Sequence, residues 1–275
     1  MEATHSLQQY LTQFPNITPI SIVSFFFLGL MRVVPIVAFA PFLGSRLPNG
    51  VKIGLAISIT LILLPSIMMT AKEPVHINVV FLEMALKELL IGLLISILAT
   101  VPFYIAETSG ILIDHMRGSA SIMAMDPLMQ TQVSPVGILY NWVLIVLFFQ
   151  INGPFIFIDA IMQSYSVVPA DGYFHPGFFS MDQPYWQLAA SLMTKILTSA
   201  IQLAAPSLVG IMMADMFLGI ANRLAPQVQI AFLGISIKSM LGLALLCIAW
   251  FYILKQLSVQ SLHWLKEIIK AIYSF

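Results

Sequence analysis

The stretch VVFLEMALKELLIGLLISILATVPFYIA, residues Val79 to Ala106, decides the fold. It is long enough to cross a bilayer, which takes about 20 apolar residues. Near its start, however, it carries three charged side chains, Glu83, Lys87 and Glu88. A charge in hydrocarbon costs about 2.5–3.5 kcal/mol on insertion scales, so such groups must pair, line water or lie away from lipid. The stretch therefore predicts a hydrophobic helix that does not simply face lipid.

The composition of the whole chain is that of a membrane protein. Of its 275 residues 59% are hydrophobic and 9% are charged, and the mean hydropathy is +0.94. Soluble domains carry about 25% charged residues. Twelve basic and twelve acidic residues cancel, so the charge balance implies no nucleic-acid partner. The N-terminus has no basic region and no small-residue cleavage site, so we expect insertion without cleavage.

Six apolar blocks approach the length of a membrane span, and no long linker or exact repeat divides them. We therefore predict an all-α, polytopic hydrophobic protein in which residues 1–275 form one helical unit, with an apolar core over residues 20–255. The predicted blocks are about Ile20–Leu43, Ile53–Met69, Val79–Ala106, Val136–Ala160, Trp186–Met213 and Ile230–Leu254.

Several blocks are broken or charged. Glu83 and Lys87 are four residues apart and can pair along one helix face, whereas Glu88 points about 100° away and needs another partner. These charges allow two interpretations, structural pairs or a relay for protons or ions. The other residues with the same problem are Arg32 beside Pro35, Lys195 and Asp215 on either side of Pro206, and Lys238.

The last segment, residues 256–275, has a different pattern. Apolar residues recur at helical spacing and polar ones fall between them, which predicts an amphipathic helix. It could lie on the bilayer surface or pack on a partner. The apolar positions are Leu257, Leu262, Leu265, Ile268, Ile269 and Ile272, and the polar ones are His263, Lys266, Glu267 and Lys270.

The loop charges do not give a consistent orientation. With six spans, the basic residues of three loops fall on one side, which the positive-inside rule places in the cytoplasm. The basic C-terminal tail then falls on the opposite side. A simple polytopic arrangement is therefore in conflict with the charges, which are Arg46, Lys52, Arg117 and Arg223 in the loops and Lys255, Lys266 and Lys270 in the tail.

Between the third and fourth blocks lies RGSASIMAMDPLMQTQVSP, residues Arg117 to Pro135. It is too polar for a membrane helix and too apolar for an ordinary loop. Pro127 disfavours helix at Asp126, and methionines are flexible and fit irregular gaps. The residues allow a re-entrant loop without special role or a deformable seal. Those singled out are Gly118, Ser119, Met123, Met125, Asp126, Pro127 and Met129.

No catalytic constellation is present in the sequence. It has no Gly-rich phosphate loop and no paired His-Glu zinc motif. The five histidines are scattered over different segments. We therefore expect no enzyme activity, no cofactor and no metal site.

The order of these features resembles the FliR / SctT (YscT) family of type III export-apparatus proteins. Three pieces carry the resemblance, over about residues 20–255: MRVVPIVAFAPFLGSRLPNGVKIGLAISITLILLP near the start, KELLIGLLISILATVPFYIAETSGILIDHMRGSASIMAMDP in the middle, and APSLVGIMMADMFLGIANRLAPQVQIAFLGISIKSMLGL near the end. The middle piece contains a Glu-x-x-x-Gly block, Glu88 to Gly92, and the Asp126-Pro127 pair.

The resemblance implies a structural and gating subunit of the export gate in the bacterial inner membrane, through which unfolded proteins are secreted. One copy of this chain would join FliP/SctR-type and FliQ/SctS-type subunits. Broken, charged helices would then pack on neighbouring subunits, with the family's plug loop at about residues 118–134. The charges expected to be buried or to pack between subunits are Arg32, Glu83, Lys87, Glu88, Lys195, Asp215, Arg223 and Lys238.

Two details refine this expectation. The Met-rich plug and the aromatic loop near residues 165–184 favour the injectisome branch, which serves virulence, over the flagellar one. The tail, residues 256–275, is expected to meet the FlhB-like (SctU-type) switch protein or the export-gate ring that docks substrates.

A second function class also fits the charges. An ion-coupled secondary transporter would place Glu83, Glu88, Lys195, Asp215 and Lys238 along its pathway. Broken helices near the midplane are common in such transporters, but this chain shows no clear repeat of one half in the other. Dependence on partner subunits distinguishes the two classes.

Overall fold

The computed structural model describes residues 19–44, 47–71, 74–75, 78–118, 134–173, 183–224 and 230–272. Within these ranges the chain is helical and has no β-strand, which confirms the all-α prediction. The helices are α1 (Pro19–Phe39), α2 (Asn49–Thr70), α3 (Val79–Met116), α4 (Pro135–Gln150), α5 (Gly153–Val167), α6 (Pro184–Leu224) and α7 (Ile230–Ile272), and a short 3-10 turn (Pro41–Leu43) follows α1.

Five of the described helices are long and apolar enough to cross a membrane, and a bent pair raises the number to six. The bent pair is α4 and α5, which meet at 73°. The break falls at Asn152, whose φ of 58° is the left-handed conformation that asparagine tolerates better than most residues. The six predicted blocks are therefore confirmed, with the fourth split into two helices.

Three helices are much longer than their predicted blocks. Helices α3, α6 and α7 have 38, 41 and 43 residues, which corresponds to about 57–65 Å against about 30 Å of bilayer hydrocarbon. The predicted blocks ended shortly before the polar residues that follow the main apolar runs, such as Glu107 in α3 and Asp215 in α6. Polar residues end a run of hydropathy, but they do not end a helix.

The C-terminal segment is a correction to the sequence analysis. It is not a separate helix, because α7 runs from Ile230 to Ile272 without a break. It is amphipathic as predicted, but the chain itself covers much of its apolar face. Neither the bilayer surface nor a partner is needed to cover the side chains buried there, which are Leu257, Ser261, Trp264, Leu265 and Ile268.

The chain divides into two compact units, each made of separate segments. The first comprises Met1–Thr100, Pro154–Ala189 and Glu267–Phe275. In it α1 packs against α2, and the ring of Phe42 meets that of Phe157 at 5.2 Å, which joins the turn after α1 to α5. Ser96 of α3 donates to the carbonyl of Pro35 inside α1 at 3.0 Å.

The second unit comprises Val101–Gly153 and Ala190–Lys266. It contains the second half of α3, α4 and most of α6 and α7. The rings of Phe103 and Phe148 lie 5.7 Å apart between α3 and α4. In an 18-residue apolar stretch of each helix, only 28% of the residues of α6 and 17% of those of α7 are buried, against 67% for α3. That residues 1–275 act as one helical unit stays a prediction.

Candidate functional site

The first unit encloses an ion pair between α1 and α3. The Arg32 guanidinium donates from Nε to Glu88 Oε2 at 2.5 Å and from Nη2 to Glu88 Oε1 at 2.8 Å. Both side chains are completely buried. Two parallel bonds of this kind are the strongest form of arginine–carboxylate contact. Arg32 and Glu88 therefore offset the desolvation cost of each other's charge, and no group from outside the chain is needed for this.

Groups at the end of α5 accept hydrogen bonds from the remaining N–H groups of the guanidinium. Arg32 Nη1 donates to Ser164 Oγ at 2.8 Å, and Nη2 donates to the carbonyl of Val168 at 2.9 Å. The guanidinium carbon lies 3.9 Å from the centre of the Tyr165 ring, in a cation–π contact. Four hydrogen bonds and an aromatic face thus replace the water that Arg32 loses on burial.

Lys87 occupies the adjacent position and is also completely buried. Its Nζ lies 3.0 Å from Glu88 Oε1. It donates to the carbonyls of Pro169, Ala170 and Gly172 at 2.7, 3.2 and 2.8 Å. Two cations therefore share one carboxylate, and backbone carbonyls supply the remaining negative charge.

Local sequence explains why carbonyls gather at this point. Helix α5 ends at Val167, and the carbonyls that accept from Arg32 and Lys87 belong to the turn that follows, residues 168–172. Pro169 cannot continue the helix. A helix C-terminus carries roughly half a negative charge, which favours nearby cations. The sequence SVVPADG after Tyr165 thus builds an acceptor site for Arg32 and Lys87.

The expected pairing of Glu83 with Lys87 is wrong. Lys87 pairs with its neighbour Glu88 instead, although their Cβ directions differ by about 100°. Long side chains overcome that angle when a third group, here Arg32, holds the carboxylate in place. Glu83 is exposed and lines a cavity of about 230 Å³ together with Met84, Lys87, Gly172 and Tyr173.

The Glu-x-x-x-Gly block acquires a physical explanation here. Glu88 and Gly92 are four residues apart and face the same side of α3. Glu88 binds the side chain of Arg32, while a Cβ at Gly92 would collide with the backbone carbonyl of Arg32. The block therefore lets α1 and α3 touch at the backbone while their charges meet one turn away.

The other charges singled out from the sequence lie in the second unit, and the isolated chain does not enclose them. Asp215 of α6 forms an ion pair with Lys238 of α7, and their side chains are 40% and 24% exposed. A cavity of about 300 Å³ adjoins the pair. Lys195 is exposed, with its Nζ 5.7 Å from the centre of the Trp264 ring, and Arg223 is exposed at the end of α6.

Most of the predicted plug lies outside the described residues. Gly118 is described and ends α3 in a left-handed conformation, with a φ of 91°, which is a common way for a helix to stop. The remaining plug residues lie outside the described residues; they are Ser119, Met123, Met125, Asp126, Pro127 and Met129.

Sequence reasoning missed the groups of α5 that complete the buried cluster. Ser164 and Tyr165 are ordinary helix residues in sequence, and the carbonyls of residues 168–172 leave no signal at all. The Pro-Ala-Asp-Gly run, residues 169–172, did indicate a turn. It gave no hint that the turn would face two cations. Only the long-range approach of α1, α3 and α5 reveals this.

Comparison with known proteins adds the family context. Residues 23–263 match a family model described as bacterial export proteins, family 1. The chain is 30% identical to the Yop proteins translocation protein T of Yersinia pestis, over 80% of this chain and 83% of that protein. Identity is 28% to the secretion system apparatus protein SsaT of Salmonella typhimurium, over 85% and 87% of the two chains. It is 25% to the flagellar biosynthetic protein FliR of Escherichia coli, over 82% and 84%.

Proposed function

Because the chain belongs to the bacterial export proteins, family 1, we propose that it is a structural subunit of a type III protein export apparatus in the bacterial inner membrane. The relatives are a translocation protein, a secretion apparatus protein and a flagellar biosynthetic protein. This family membership favours the export role over the ion-coupled transporter. The role is one of scaffolding and passage for unfolded protein substrates, without enzyme chemistry.

One structural observation carries the proposal that the chain works inside an assembly. Exposed hydrophobic side chains extend along α6 from Met193, 68% exposed, to Leu224, 82% exposed. These residues are about 47 Å apart along a helix with 1.5 Å rise per residue. The bilayer hydrocarbon is about 30 Å thick. Lipid alone does not cover such a strip, whereas neighbouring hydrophobic subunits do.

The partners that suit this surface are the FliP/SctR-type and FliQ/SctS-type subunits of the same apparatus, with one copy of this chain. The exposed charges Lys195 and Arg223 and the partly exposed pair of Asp215 and Lys238 then lie at or near subunit contacts. The higher identity to the Yop translocation protein than to the flagellar protein supports the injectisome branch.

Native mass spectrometry tests the assembly directly. The tagged chain is co-expressed with its neighbouring genes and extracted in mild detergent. We expect one copy of this chain together with several copies of two other small hydrophobic proteins. A stable monomer or homodimer that needs no partners would contradict the proposal, and solute flux in liposomes would then test the transporter.

The second part of the proposal is that residues 118–134 plug the closed channel. Their small, Met-rich composition supports this role, since unbranched methionine fits irregular gaps. The test compares two variants, deletion of residues 119–133 and their replacement by a Gly-Ser segment of equal length. We expect both to assemble and both to let ions leak across the inner membrane. A tight membrane with continued secretion in the deletion variant would refute the plug.

The C-terminal segment, residues 256–275, remains a proposed contact for the FlhB-like (SctU-type) switch protein or the export-gate ring. Its polar side, with His263, Lys266 and Lys270 exposed, is the side available for such a contact. Charge reversal at Lys266 and Lys270 should lower secretion while leaving the assembled complex intact. Normal secretion in this variant would exclude the contact.

A further inference from the structure

In the second unit, a single carboxylate joins the end of α3 to the start of α4. Ser134 Oγ donates to Asp114 Oδ2 at 2.5 Å, and the backbone N–H of Val136 donates to the same oxygen at 3.0 Å. Arg117 Nε donates to the other oxygen, Oδ1, at 2.7 Å. Asp114 is 2% exposed. Three donors from both sides of the segment 119–133 thus converge on one buried side chain.

The residues on the α4 side are arranged around this contact. Ser134 is the N-cap of α4, and its Oγ accepts from the backbone N–H of Gly137 at 2.9 Å while it donates to Asp114. Pro135 follows at the first helical position, where its missing N–H costs nothing. The Asp114 carboxylate also lies at the N-terminus of α4, where the helix dipole favours negative charge. The start of α4 is therefore specified by both residues together.

A close backbone crossing lies one turn away. A Cβ on Gly110 would collide with the backbone nitrogen of Gly137, so α3 and α4 touch there without side chains between them. The crossing holds Gly110 against Val136 and Gly137, so only Ser134 and Pro135 on the α4 side and the last turn of α3 extend beyond it. Asp114 lies beyond the crossing and joins these two ends.

Arg117 extends the contact to a third helix. Its Nη1 donates to Ser239 Oγ of α7 at 3.3 Å, and a Cβ on Gly242 of α7 would lie 3.5 Å from its Cβ. Arg117 lies between Met116, the last residue of α3, and Gly118, whose left-handed backbone turns the chain away. The carboxylate thus orients the side chain that ties this helix end to α7.

We propose that Asp114 is a positioning residue that sets the separation between the end of α3 and the start of α4, the two points between which residues 119–133 run. The proposal deepens the proposed function, because those residues belong to the proposed plug, but it concerns only the described helix ends. Its test measures that separation, whereas the plug is tested by the deletion above, so either can fail alone.

The substitution Asp114→Asn keeps the shape of the side chain and removes only its negative charge and one of its two acceptor oxygens. Asp114 accepts at both oxygens, while an asparagine has one acceptor oxygen and one NH₂ donor. The NH₂ group must therefore face either Arg117 or the Ser134 and Val136 pair, and in either case an N–H donor, that of Arg117 or that of Val136, loses its acceptor. Asp159→Asn is the matched control, because Asp159 is exposed and accepts only from Gln163 Nε2 in the same helix among the described bonds.

Double electron–electron resonance measures the distance between two spin labels on the full-length chain, purified together with the subunits that accompany it. Spin labels replace His115 and Pro135, which are exposed and lie beyond the Gly110 crossing, in a Cys247→Ser background. We expect a narrow distance distribution in the parent and in Asp159→Asn. In Asp114→Asn we expect the mean distance to shift, or the distribution to broaden, by clearly more than the difference between the parent and Asp159→Asn.

A charge swap provides the rescue. Asp114→Ser combined with Ser134→Asp keeps a carboxylate between the two helix ends, and aspartate is a good N-cap. We expect the swap to restore most of the narrow distribution. A distribution in Asp114→Asn equal to that of the parent would overturn the proposal, and so would a swap as broad as Asp114→Asn.

A folding defect does not leave the question open. If Asp114→Asn yields no folded protein, Ser134→Gly is measured in the same labelled background, because it removes the 2.5 Å bond to Asp114 while glycine is still tolerated as the N-cap of α4. Broadening in Ser134→Gly supports the proposal. An unchanged distribution, or failure of both variants to fold, assigns Asp114 to general stability and overturns its positioning role.

Discussion

The buried cluster of Arg32, Lys87 and Glu88 and the half-open pair of Asp215 and Lys238 both place charges in helices apolar enough to cross a membrane. The first is completely enclosed, and its partners come from α1, α3, α5 and the turn that follows α5. The second leaves its acid 40% exposed and its base 24% exposed. The difference indicates that the first unit buries its charge cluster, whereas α6 and α7 pair Asp215 with Lys238 but leave that pair open to the surroundings.

The surroundings of the two sites agree with this contrast. Glu88 lies in α3, where 67% of an 18-residue apolar stretch is buried within the chain. The corresponding shares for α6 and α7 are 28% and 17%. A helix that faces its own chain must carry its counter-charges with it. A helix that faces a partner subunit can share them across the contact. The comparison therefore supports a division into a self-contained unit and a contact surface.

The largest expected effect is at Glu88. The change Glu88→Gln removes the carboxylate that contacts both buried cations, and breaking a buried pair in this way costs about 3–5 kcal/mol. We expect little folded protein and a strongly lowered thermal unfolding temperature in detergent. Glu83→Gln is the control, because Glu83 is exposed on the same helix. Equal stability of the two variants would show that the cluster does not hold the first unit together.

The second largest effect is at Gly92. In Gly92→Ala the new Cβ meets the Arg32 backbone carbonyl, which cannot move away as a side chain could. Overpacking of this kind costs about 1–3 kcal/mol. Gly54→Ala is the matched control in α2, where a Cβ meets nothing within 4 Å, and it should gain about 0.5–1 kcal/mol from reduced chain entropy. Thermal unfolding of both variants should therefore shift in opposite directions, and a shared direction would contradict the close crossing.

A smaller effect is expected at the half-open pair. Partly exposed ion pairs contribute about 0–1 kcal/mol, so Lys238→Gln should change the stability of the isolated chain little. If partner subunits cover the pair, the same variant should reduce recovery of the assembled complex much more than the stability of the isolated chain. Comparing unfolding temperature with complex yield checks this. A loss in the isolated chain as large as that of Glu88→Gln would remove the contrast.

The smallest effect is expected at Arg223. It is exposed at the end of α6, and substitutions at such positions usually change stability by less than about 0.5 kcal/mol. Arg223→Gln should leave the unfolding temperature of the isolated chain unchanged. Its complex yield then reports the subunit contact alone. A clear destabilisation of the isolated chain would place Arg223 in the chain's own packing.

Much of the fold could be predicted from hydropathy, since the six blocks appear as helices. Its limits lay where polar residues interrupt an apolar run without interrupting the helix, as at Glu107 and Asp215. The break at Asn152 was missed for the opposite reason. The run Gln150-Ile-Asn-Gly-Pro154 does contain turn residues, but the long apolar stretches on both sides of it made the block look like one helix.

The candidate site was predicted in part. The sequence identified Arg32, Lys87 and Glu88 as charges that require partners, because unpaired charge in an apolar helix is expensive. It favoured the wrong partner for Lys87, since spacing along one helix ranks Glu83 first. It also grouped Glu88 and Lys238 together as charges expected to be buried or to pack between subunits, although the isolated chain buries only Glu88 completely.

Composition and periodicity alone determined that this chain is a helical membrane protein, because too few charged groups are present to solvate a globular surface. The ordered motifs in the sequence also identified its family. Only the tertiary structure decided which charges meet, because Arg32 and Glu88 are 56 positions apart and the carbonyls that complete the cluster have no signature in sequence. Pairing energies fall steeply with distance, so the choice of partner depends on where α1, α3 and α5 cross.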